Sequence, residues 1–272
     1  MHRRSPRAIE RIGISGAGSW QEQTPKKIAE TNAIFEQIKR VNQEADASET
    51  MLRISCDAKA TVKIGDFSRC GQSRVKVAAA DHDFKAEDVV IPYGIFMPKH
   101  DALSLYLSRS KVTADFIVDR LDEWWLDTQE RFPKVTMLVI DLDNGPENHS
   151  RRTQFMKRMV EFTQKHCIDV RLAYYPPYHS KYNPVERCWG ILEQHWNGSL
   201  LDSLDAVVGF AQTMTWKGHP PIVKVIDQVY HIGVRLTQSL MAEVESQISR
   251  FESLGRWFVD ILWQHFDGDP VT

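Results

Sequence analysis

The stretch KVTMLVID, residues 134–141, decides the fold because it is a nearly continuous apolar run that ends in an acidic residue. Runs of this kind are typical of strands buried on both faces of a parallel sheet. Apolar residues recur with helical spacing on either side of it, over residues 112–130 and 150–166. The segment IDVRLAYY, residues 168–175, predicts the next strand. This part of the chain therefore predicts strands and helices that alternate around a parallel sheet.

The flanking segments complete this pattern. Helical spacing over 26–44 precedes alternating apolar residues over 52–64 and two strand-like segments at 89–98 and 102–108. After the last predicted strand, apolar residues from Val185 to Trp196 mark one face of a further helix. The order predicts an α/β protein with a mixed sheet: three or four N-terminal strands, then helix, strand, helix, strand and helix. That is the order of the ribonuclease H-like fold.

We divide the chain into three parts on this basis. Residues 1–48 form a basic N-terminal segment and linker helix, residues 49–200 the ribonuclease H-like core, and residues 201–272 a helical C-terminal region. Helices in the last part are expected near 200–214, 236–252 and 254–266.

Composition excludes several classes of protein. The 272 residues are 42% hydrophobic and 26% charged, which rules out a mostly disordered chain, a collagen-like fibre and a disulfide-stapled mini-protein. No apolar run is long enough for a membrane span or a signal peptide, so we expect a cytoplasmic protein without a membrane partner. None of the four cysteines forms a C-x-x-C pair, which argues against a zinc ribbon or a thioredoxin-like site.

Charge is unevenly distributed although the net charge is only −2. Residues 1–40 carry eight Lys or Arg against four Glu, and residues 149–190 carry eight against three acidic residues. Local basic patches bind phosphate whatever the total charge of the chain. Two interpretations stay open from charge alone, a phosphate-binding surface and an ordinary solvated one.

Acidic residues stand where the predicted topology brings strand ends together. Asp57 ends the first predicted strand, Asp141 and Asp143 end the apolar run, and Glu186 lies in the first turn of the last core helix. Ligands of open sheets bind beyond the carboxyl ends of the parallel strands. Carboxylates at that edge, together with water and phosphate oxygens, suit Mg²⁺, and two such ions stabilise the attacking and leaving oxygens of a phosphoryl displacement.

Each of these residues also has a structural interpretation. Asp57 and one of the two aspartates at the end of the apolar run can simply bond a turn. Asn183, Pro184 and Glu186 fit the N-cap, first and third positions of a helix, which is the arrangement of a capping box. The residues by themselves do not choose between Asp141 and Asp143.

The segment PPYHSKYNPVERCW, residues 176–189, resembles the PPY-S-x-x-NP-x-E-x-x-W signature of DDE transposases from bacterial insertion sequences. The segments RISCDAKATVKIGDFSR (53–69) and IPYGIF (91–96), with the pattern D-x-G-x-x-N from Asp143 to Asn148, narrow the resemblance to the ISAzo-type family. The resemblance extends from about residue 30 to about residue 230.

The resemblance implies a ribonuclease H-like core whose DDE triad binds two Mg²⁺ ions, for which Mn²⁺ can substitute. It assigns the catalytic and metal-binding triad to Asp57, Asp143 and Glu186, with Asp143 preferred to Asp141 because it opens the D-x-G-x-x-N pattern. The implied activity is metal-dependent cleavage of DNA at insertion-sequence ends, followed by strand transfer. The implied partners are double-stranded DNA, as transposon end and as target, and further copies of the chain on that DNA.

Basic side chains near the triad become candidate phosphate contacts under this interpretation, and nearby tyrosines become candidates for stacking on an unpaired base. The basic candidates are Arg151, Arg152, Lys157, Arg158, His179, Lys181 and Arg187. The aromatic candidates are Tyr175, Tyr178 and Tyr182.

The chain departs from the family at its N-terminus. Transposases of this class usually carry an N-terminal helix-turn-helix region, and the residues before Asp57 do not show a complete one. We therefore expect a chain that lacks most of the recognition region. Three hypotheses remain: a DDE transposase or its nuclease core, a truncated non-catalytic remnant that binds DNA or full-length transposase, and an unrelated α/β protein whose acids are turn and cap residues.

Overall fold

The structure is a computed structural model that describes residues 28–65, 88–234 and 236–263. A loosely structured segment is expected over the first 25 residues and a polar loop over residues 70–88; both lie outside the described residues except for Asp88, which begins a strand. The helices are α1 (Thr31–Ala47), α2 (Ala114–Thr128), α3 (Thr153–His166), α4 (Val185–Trp196), α5 (Leu204–Thr213) and α6 (Gln238–Ser246). The strands are β1 (Met51–Ala58), β2 (Val62–Ile64), β3 (Asp88–Met97), β4 (Ala102–Ser108), β5 (Met137–Leu142), β6 (Asp169–Tyr174), β7 (Ile222–Ile226), β8 (Ile248–Arg250) and β9 (Phe258–Ile261).

Strands β4, β3, β1, β5 and β6 lie side by side, in that order, at the centre of the sheet. Strand β3 is antiparallel to both of its neighbours, whereas β1, β5 and β6 run parallel to one another. This is the ribonuclease H-like order, so the predicted fold class is confirmed. The parallel strands end together at Ala58, Leu142 and Tyr174, which we call the carboxyl edge, and begin together at the opposite amino edge.

The two faces of the sheet carry different helices because side chains alternate along each strand. On one face, Tyr93 of β3 packs edge-to-face on Phe116 of α2, within the main hydrophobic core. On the other face, Arg53 of β1 reaches Asp46 of α1, and the next residue but one, Ser55, bonds the start of α4. Helices α1 and α4 therefore cover the face on which Asp57 also lies.

The C-terminal region differs in part from its prediction. Helices form at Leu204–Thr213 and Gln238–Ser246, but the helix expected over 254–266 is replaced by β9, and Ile248–Arg250 form β8. Strand β9 pairs with β6, whose edge would otherwise present unpaired backbone groups, and this pairing outweighs local helical spacing. Strand β7 likewise joins the free edge of β4. Among the described helices, none combines the length and the apolar character needed to cross a membrane.

Candidate active site

Asp57 and Asp143 are neighbours across the parallel strands β1 and β5. The last paired residues in the register are Cys56 and Leu142, so each strand continues with one of the two aspartates. Asp57 is only 8% exposed, and Asp143 is half-buried. The carboxyl edge thus gathers the first two acids that the sequence motifs single out.

The D-x-G-x-x-N pattern forms a tight loop that orients Asp143. The side-chain amide of Asn148 donates to Oδ1 of Asp143 at 2.8 Å, and the hydroxyl of Tyr174 donates to the backbone oxygen of Asn148 at 2.8 Å. A Cβ atom at Gly145 would stand 3.2 Å from Oδ2 of Asp143 and 3.1 Å from Oδ1 of Asn148. The glycine leaves room for the amide and the carboxylate to meet.

Asn183 joins the start of α4 to β1 and so sets the position of Glu186. Its buried side chain accepts a hydrogen bond from the hydroxyl of Ser55 and donates to the backbone oxygen of Cys56 at 3.1 Å. The backbone N–H of Val185 donates to Oγ of Ser55 at 2.8 Å, so a strand residue caps this helix. The side chain of Asn183 does not cap α4, so the capping-box interpretation is wrong and does not account for Glu186.

Trp189 completes the contact between α4 and the strands. Its indole N–H donates to Oδ2 of Asp57 at 3.4 Å, and the backbone N–H of Ala58 donates to Oδ1 at 2.7 Å. The ring lies so close to Gly94 of β3 that a Cβ atom there would stand 2.8 Å from Cη2. Gly94 pairs with Asp57 in the sheet, so this close approach brings α4 directly over the aspartate.

The three acids influence one another electrostatically. Burial, followed by repulsion from Asp143 and Glu186, raises the pKa of Asp57 to about 8, against the opposing effect of the hydrogen bonds from Ala58 and Trp189. A carboxyl buried beside two like charges favours its neutral form. Repulsion between the carboxylates therefore destabilises the site, and a bound cation would offset that repulsion.

The donor set suits a hard divalent cation. Asp57 of β1 is close enough to Asp143, in the loop after β5, and to Glu186 of α4 for their charges to act on it. Mg²⁺ prefers one or two carboxylates with water and phosphate oxygens. As the described side chains stand, no three His, Cys, Asp or Glu groups are close enough to enclose an ion by themselves. The arrangement is an open one, in which oxygens of a substrate would complete the coordination.

Asp141 is separated from the triad by its contacts. It is fully buried, and its Oδ2 accepts from the guanidinium of Arg53 at 3.2 Å and from the side-chain amide of Asn42 at 3.1 Å. Burial raises the pKa of Asp141 to about 7, although Arg53 and Asn42 oppose the change. Asp141 thus links α1 to the sheet. Its contacts distinguish it from Asp143, which the residues alone did not.

The predicted DNA contacts fall into two groups: side chains that are already paired or buried, and side chains that are exposed. Arg152 pairs with Glu147 at 3.1 Å, Lys157 pairs with Glu161, and Arg158 pairs with Asp119 at 2.7 Å and with Asp115 at 2.9 Å. His179 is buried, and its Nδ1 lies 2.7 Å from the backbone oxygen of Pro177. The remaining candidates are exposed: Arg151, Lys181 and Arg187.

The three tyrosines predicted to stack on a base differ in exposure and in contacts. Tyr175 is 5% exposed, and Tyr182 packs edge-to-face on Phe35 of α1 with ring centroids 5.1 Å apart. Tyr178 is 70% exposed and has a left-handed backbone, with φ of 65°. A non-glycine residue in this conformation costs about 1–2 kcal/mol, so the surrounding loop holds Tyr178 in place.

Sequence reasoning missed the residues that position the acids. Asn183 looked like a helix cap, Trp189 looked like one member of an apolar stripe, and Gly94 and Ser55 drew no attention. The indole N–H of Trp189 was the available signal, because a buried Trp usually needs a hydrogen-bond acceptor. The contacts of Gly94 and Ser55 join residues far apart in the chain, and no local pattern reveals them.

Several solved structures are similar to this chain. The complex titled Mos1 transposase paired-end complex with left transposon end has a TM-score of 0.47 and 14% identity, over 72% of this chain and 56% of that one. The Mos1 mariner paired end complex with Mn has a TM-score of 0.48 and 12% identity, over 73% and 56%. The corresponding complex with Mg has a TM-score of 0.48 and 13% identity, over 76% and 62%. The chain therefore spans about three-fifths of the length of these proteins.

Comparison with curated proteins finds no match. The family model described as the Rhodopirellula transposase DDE domain matches residues 3–262. Because this match spans nearly all of the sequence, the chain belongs to this family of transposase DDE domains.

Proposed function

We propose that the chain is a DNA transposase that depends on a divalent metal, cleaves DNA at insertion-sequence ends and transfers the freed strand to a target. Asp57, Asp143 and Glu186 are the catalytic and metal-binding residues of this proposal. Its cation is Mg²⁺, with Mn²⁺ as a substitute, in two sites. Its substrate is double-stranded DNA.

One observation supports the proposal above the others: Asp57 and Asp143 follow adjacent parallel strands at the carboxyl edge, and the charge of Glu186 acts on Asp57 from α4. Burial and the charges of Asp143 and Glu186 raise the pKa of Asp57 to about 8. Such repulsion destabilises the fold unless a ligand offsets it, and it is typical of functional sites. The hypothesis of turn and cap residues does not explain why Trp189 and Asn183 hold the acids together.

The residues of the chain have distinct roles in the proposal. The carboxylates of Asp57, Asp143 and Glu186 hold the cations, while Trp189 and Asn148 keep the two aspartates in one orientation. Bound divalent ions lower the pKa of water and stabilise charge on a phosphate in transit. The protein therefore acts mainly by positioning groups and neutralising charge.

Phosphates of the DNA backbone need cations that are not already paired. Arg151, Lys181 and Arg187 are exposed, and they come from the loop before α3 and from the segment around the start of α4. We assign them the phosphate contacts beside the triad, which are independent of base sequence. Carboxylates already neutralise three other candidates, which are therefore less suited to contact phosphate: Arg152, Lys157 and Arg158.

Nicking of supercoiled plasmid by the purified chain tests the proposal. We expect nicking in Mg²⁺ or Mn²⁺, none in EDTA, and its loss in Asp57→Asn, Asp143→Asn and Glu186→Gln. Glu193→Gln, on the same helix, is the matched control and should nick normally.

Equal nicking by all variants would identify a contaminating nuclease and contradict the proposal. DNA binding without nicking in any condition would favour the non-catalytic remnant instead. A chain that neither binds DNA nor responds to the metals would contradict the proposal and indicate a family member that has lost both properties.

A further inference from the structure

A cavity of about 330 Å³ opens at the amino edge of the sheet, where β1 begins. Met51, Leu52, Phe132 and Val135 give it an apolar floor. Asp57 lies six residues further along β1 than Met51, and at about 3.3 Å per residue this places the cavity about 20 Å from the triad. The cavity is therefore separate from the candidate active site.

Basic side chains line the mouth of this cavity. Lys99 and His100 come from the turn between β3 and β4, and Arg131 comes from the turn after α2. Lys134 also lines the cavity, but it pairs with Glu49 at 2.8 Å. In the part of the chain that the structure describes, neither Lys99, His100 nor Arg131 has a carboxylate partner.

The contacts of Lys99 and Arg131 leave their charges available, and His100 lies beside them. The Nζ of Lys99 reaches only the backbone oxygen of Ser48, at 3.5 Å. The guanidinium of Arg131 lies 5.5 Å from the ring centre of Phe132, and the ring of His100 contacts Phe132 with centroids 5.0 Å apart. Arg131 and His100 therefore both contact the ring of Phe132, and Lys99 lines the same cavity.

The local field is positive. Burial, followed by repulsion from Lys99 and Arg131, lowers the pKa of His100. Seven other arginines of the described residues pair with carboxylates, whereas Arg131 does not: Arg53, Arg109, Arg120, Arg152, Arg158, Arg171 and Arg250. Because its pKa is lowered, His100 is neutral near pH 7, and Lys99 and Arg131 are the cations beside the apolar cavity. Such a site fits an anionic ligand that carries a flat apolar part.

We propose that this cavity binds a nucleotide unit of a single DNA strand, with its phosphate on Lys99 and Arg131 and its sugar and base over the apolar floor. Arg and Lys are the side chains that most often contact phosphate. The volume lies at the lower end of the range for small-ligand sites, about 300–1,000 Å³, which suits one nucleotide and not a duplex. The DNA would then contact both edges of the sheet.

Fluorescence anisotropy with a labelled 12-nucleotide single strand tests this site in EDTA, so that the result is independent of the proposed chemistry at the triad. We expect Lys99→Ala/Arg131→Ala to weaken binding about tenfold and to reduce the slope of log K against log salt by about 0.7, since the site holds one phosphate and each phosphate contact contributes about 0.7. Phe132→Leu should weaken binding without changing the slope. The matched control is Lys39→Ala/Arg40→Ala, which removes two cations from α1 and should change affinity less than about twofold.

Three outcomes would overturn the site. The first is unchanged binding in Lys99→Ala/Arg131→Ala, or a loss no greater than in the α1 control. The second is tighter binding of a 12-base-pair duplex than of the single strand. The third is binding of deoxyadenosine monophosphate that depends on Lys99 and Arg131 while the strand does not bind, because the ligand would then be a free nucleotide. Melting temperatures of all variants separate these outcomes from unfolding.

Discussion

The indole ring of Trp189 lies against the backbone of Gly94, at the point where β3 pairs with Asp57. A Cβ atom at position 94 would stand 2.8 Å from Cη2 of Trp189 and 2.9 Å from Cγ2 of Val185. Both contacts belong to α4, the helix that carries Glu186. The absence of a side chain on one strand therefore sets the distance of the third acid from the first two.

Gly94→Ala should separate α4 from the sheet. Overpacking of this kind costs about 1–3 kcal/mol, and a shift of a positioned group costs activity even when the fold survives. We expect a lower melting temperature and nicking reduced by at least about tenfold. Gly190→Ala is the matched control, because a Cβ atom at this position of α4 meets nothing within 4 Å. It should raise stability by up to about 1 kcal/mol and leave nicking intact. Equal effects of the two substitutions would contradict this role of Gly94.

Asp141→Asn and Asp143→Asn should separate structure from chemistry. Asp143 stands at the open carboxyl edge, whereas Asp141 is buried against Arg53 and Asn42. We expect Asp143→Asn to lose nicking by more than about 100-fold, since it removes a proposed metal ligand and not merely a group that orients one. Asp141→Asn should keep nicking within about tenfold but lower stability by about 1–3 kcal/mol at pH 5, because the amide is a poorer partner than the carboxyl group for Arg53 and Asn42. Loss of nicking in Asp141→Asn at full stability would assign the triad to the wrong aspartate.

The buried pair also predicts a dependence on pH. Burial raises the pKa of Asp141 to about 7, well above the value near 4 of an unfolded chain. The folded state then holds this proton more tightly, so the contribution of Asp141 to stability falls as the pH rises from about 4 to about 7. Urea unfolding gives the free energy of unfolding of both proteins at pH 5 and pH 8. Relative to the unaltered chain, Asp141→Asn should be more stable at pH 8 than at pH 5. A difference that is equal at both pH values would show that Asp141 stays ionised throughout.

Ser55→Ala should disturb the start of α4. Its hydroxyl accepts from the backbone N–H of Val185 and donates to the side chain of Asn183. Loss of a cap costs about 0.5–2 kcal/mol, and the unpaired amide adds to that cost. We expect reduced stability together with reduced nicking, because Glu186 follows directly. Ser203→Ala removes the cap of α5, where Oγ of Ser203 accepts from Ala206 at 3.2 Å, so it should lower stability without lowering nicking. A parallel loss of nicking in both variants would mean that stability alone sets the activity.

Local patterns predicted the elements of the core well. The apolar run at 134–141 became β5, and ALSLYLS became β4 with its predicted bounds. These elements are encoded by periodicity within one segment, and the motifs placed Asp57, Asp143 and Glu186 at strand and helix ends. Strand β9 escaped prediction because a short strand is defined by the edge it joins, and β6 lies some 90 residues away in the chain.

The contacts that position the acidic residues were not predicted from the sequence, for a related reason. Asn183 was interpreted through its nearest neighbours as a cap, but its partners are Ser55 and Cys56, more than 120 residues distant. The contacts that Arg53 and Asn42 make with Asp141 likewise join residues far apart in the chain. Chemistry-bearing residues can be found from motifs, whereas the residues that hold them depend on tertiary contacts.

The stability of the triad variants offers a test that does not require cleavage. Asp57 is buried beside two like charges, so removal of one charge should relieve repulsion. In EDTA we expect Asp143→Asn to raise the melting temperature of the chain, although the same substitution abolishes nicking. Mn²⁺ or Mg²⁺ should stabilise the unaltered chain, by about 1.4 kcal/mol at ten times the dissociation constant, and should stabilise Asp143→Asn much less. Asp260→Asn is the control of opposite sign, because its carboxylate pairs with Arg171 at 2.8 Å and its loss should destabilise the chain with or without metal. Destabilisation of Asp143→Asn in EDTA, with an unchanged response to metal, would show that Asp143 supports the fold and does not bind the cation.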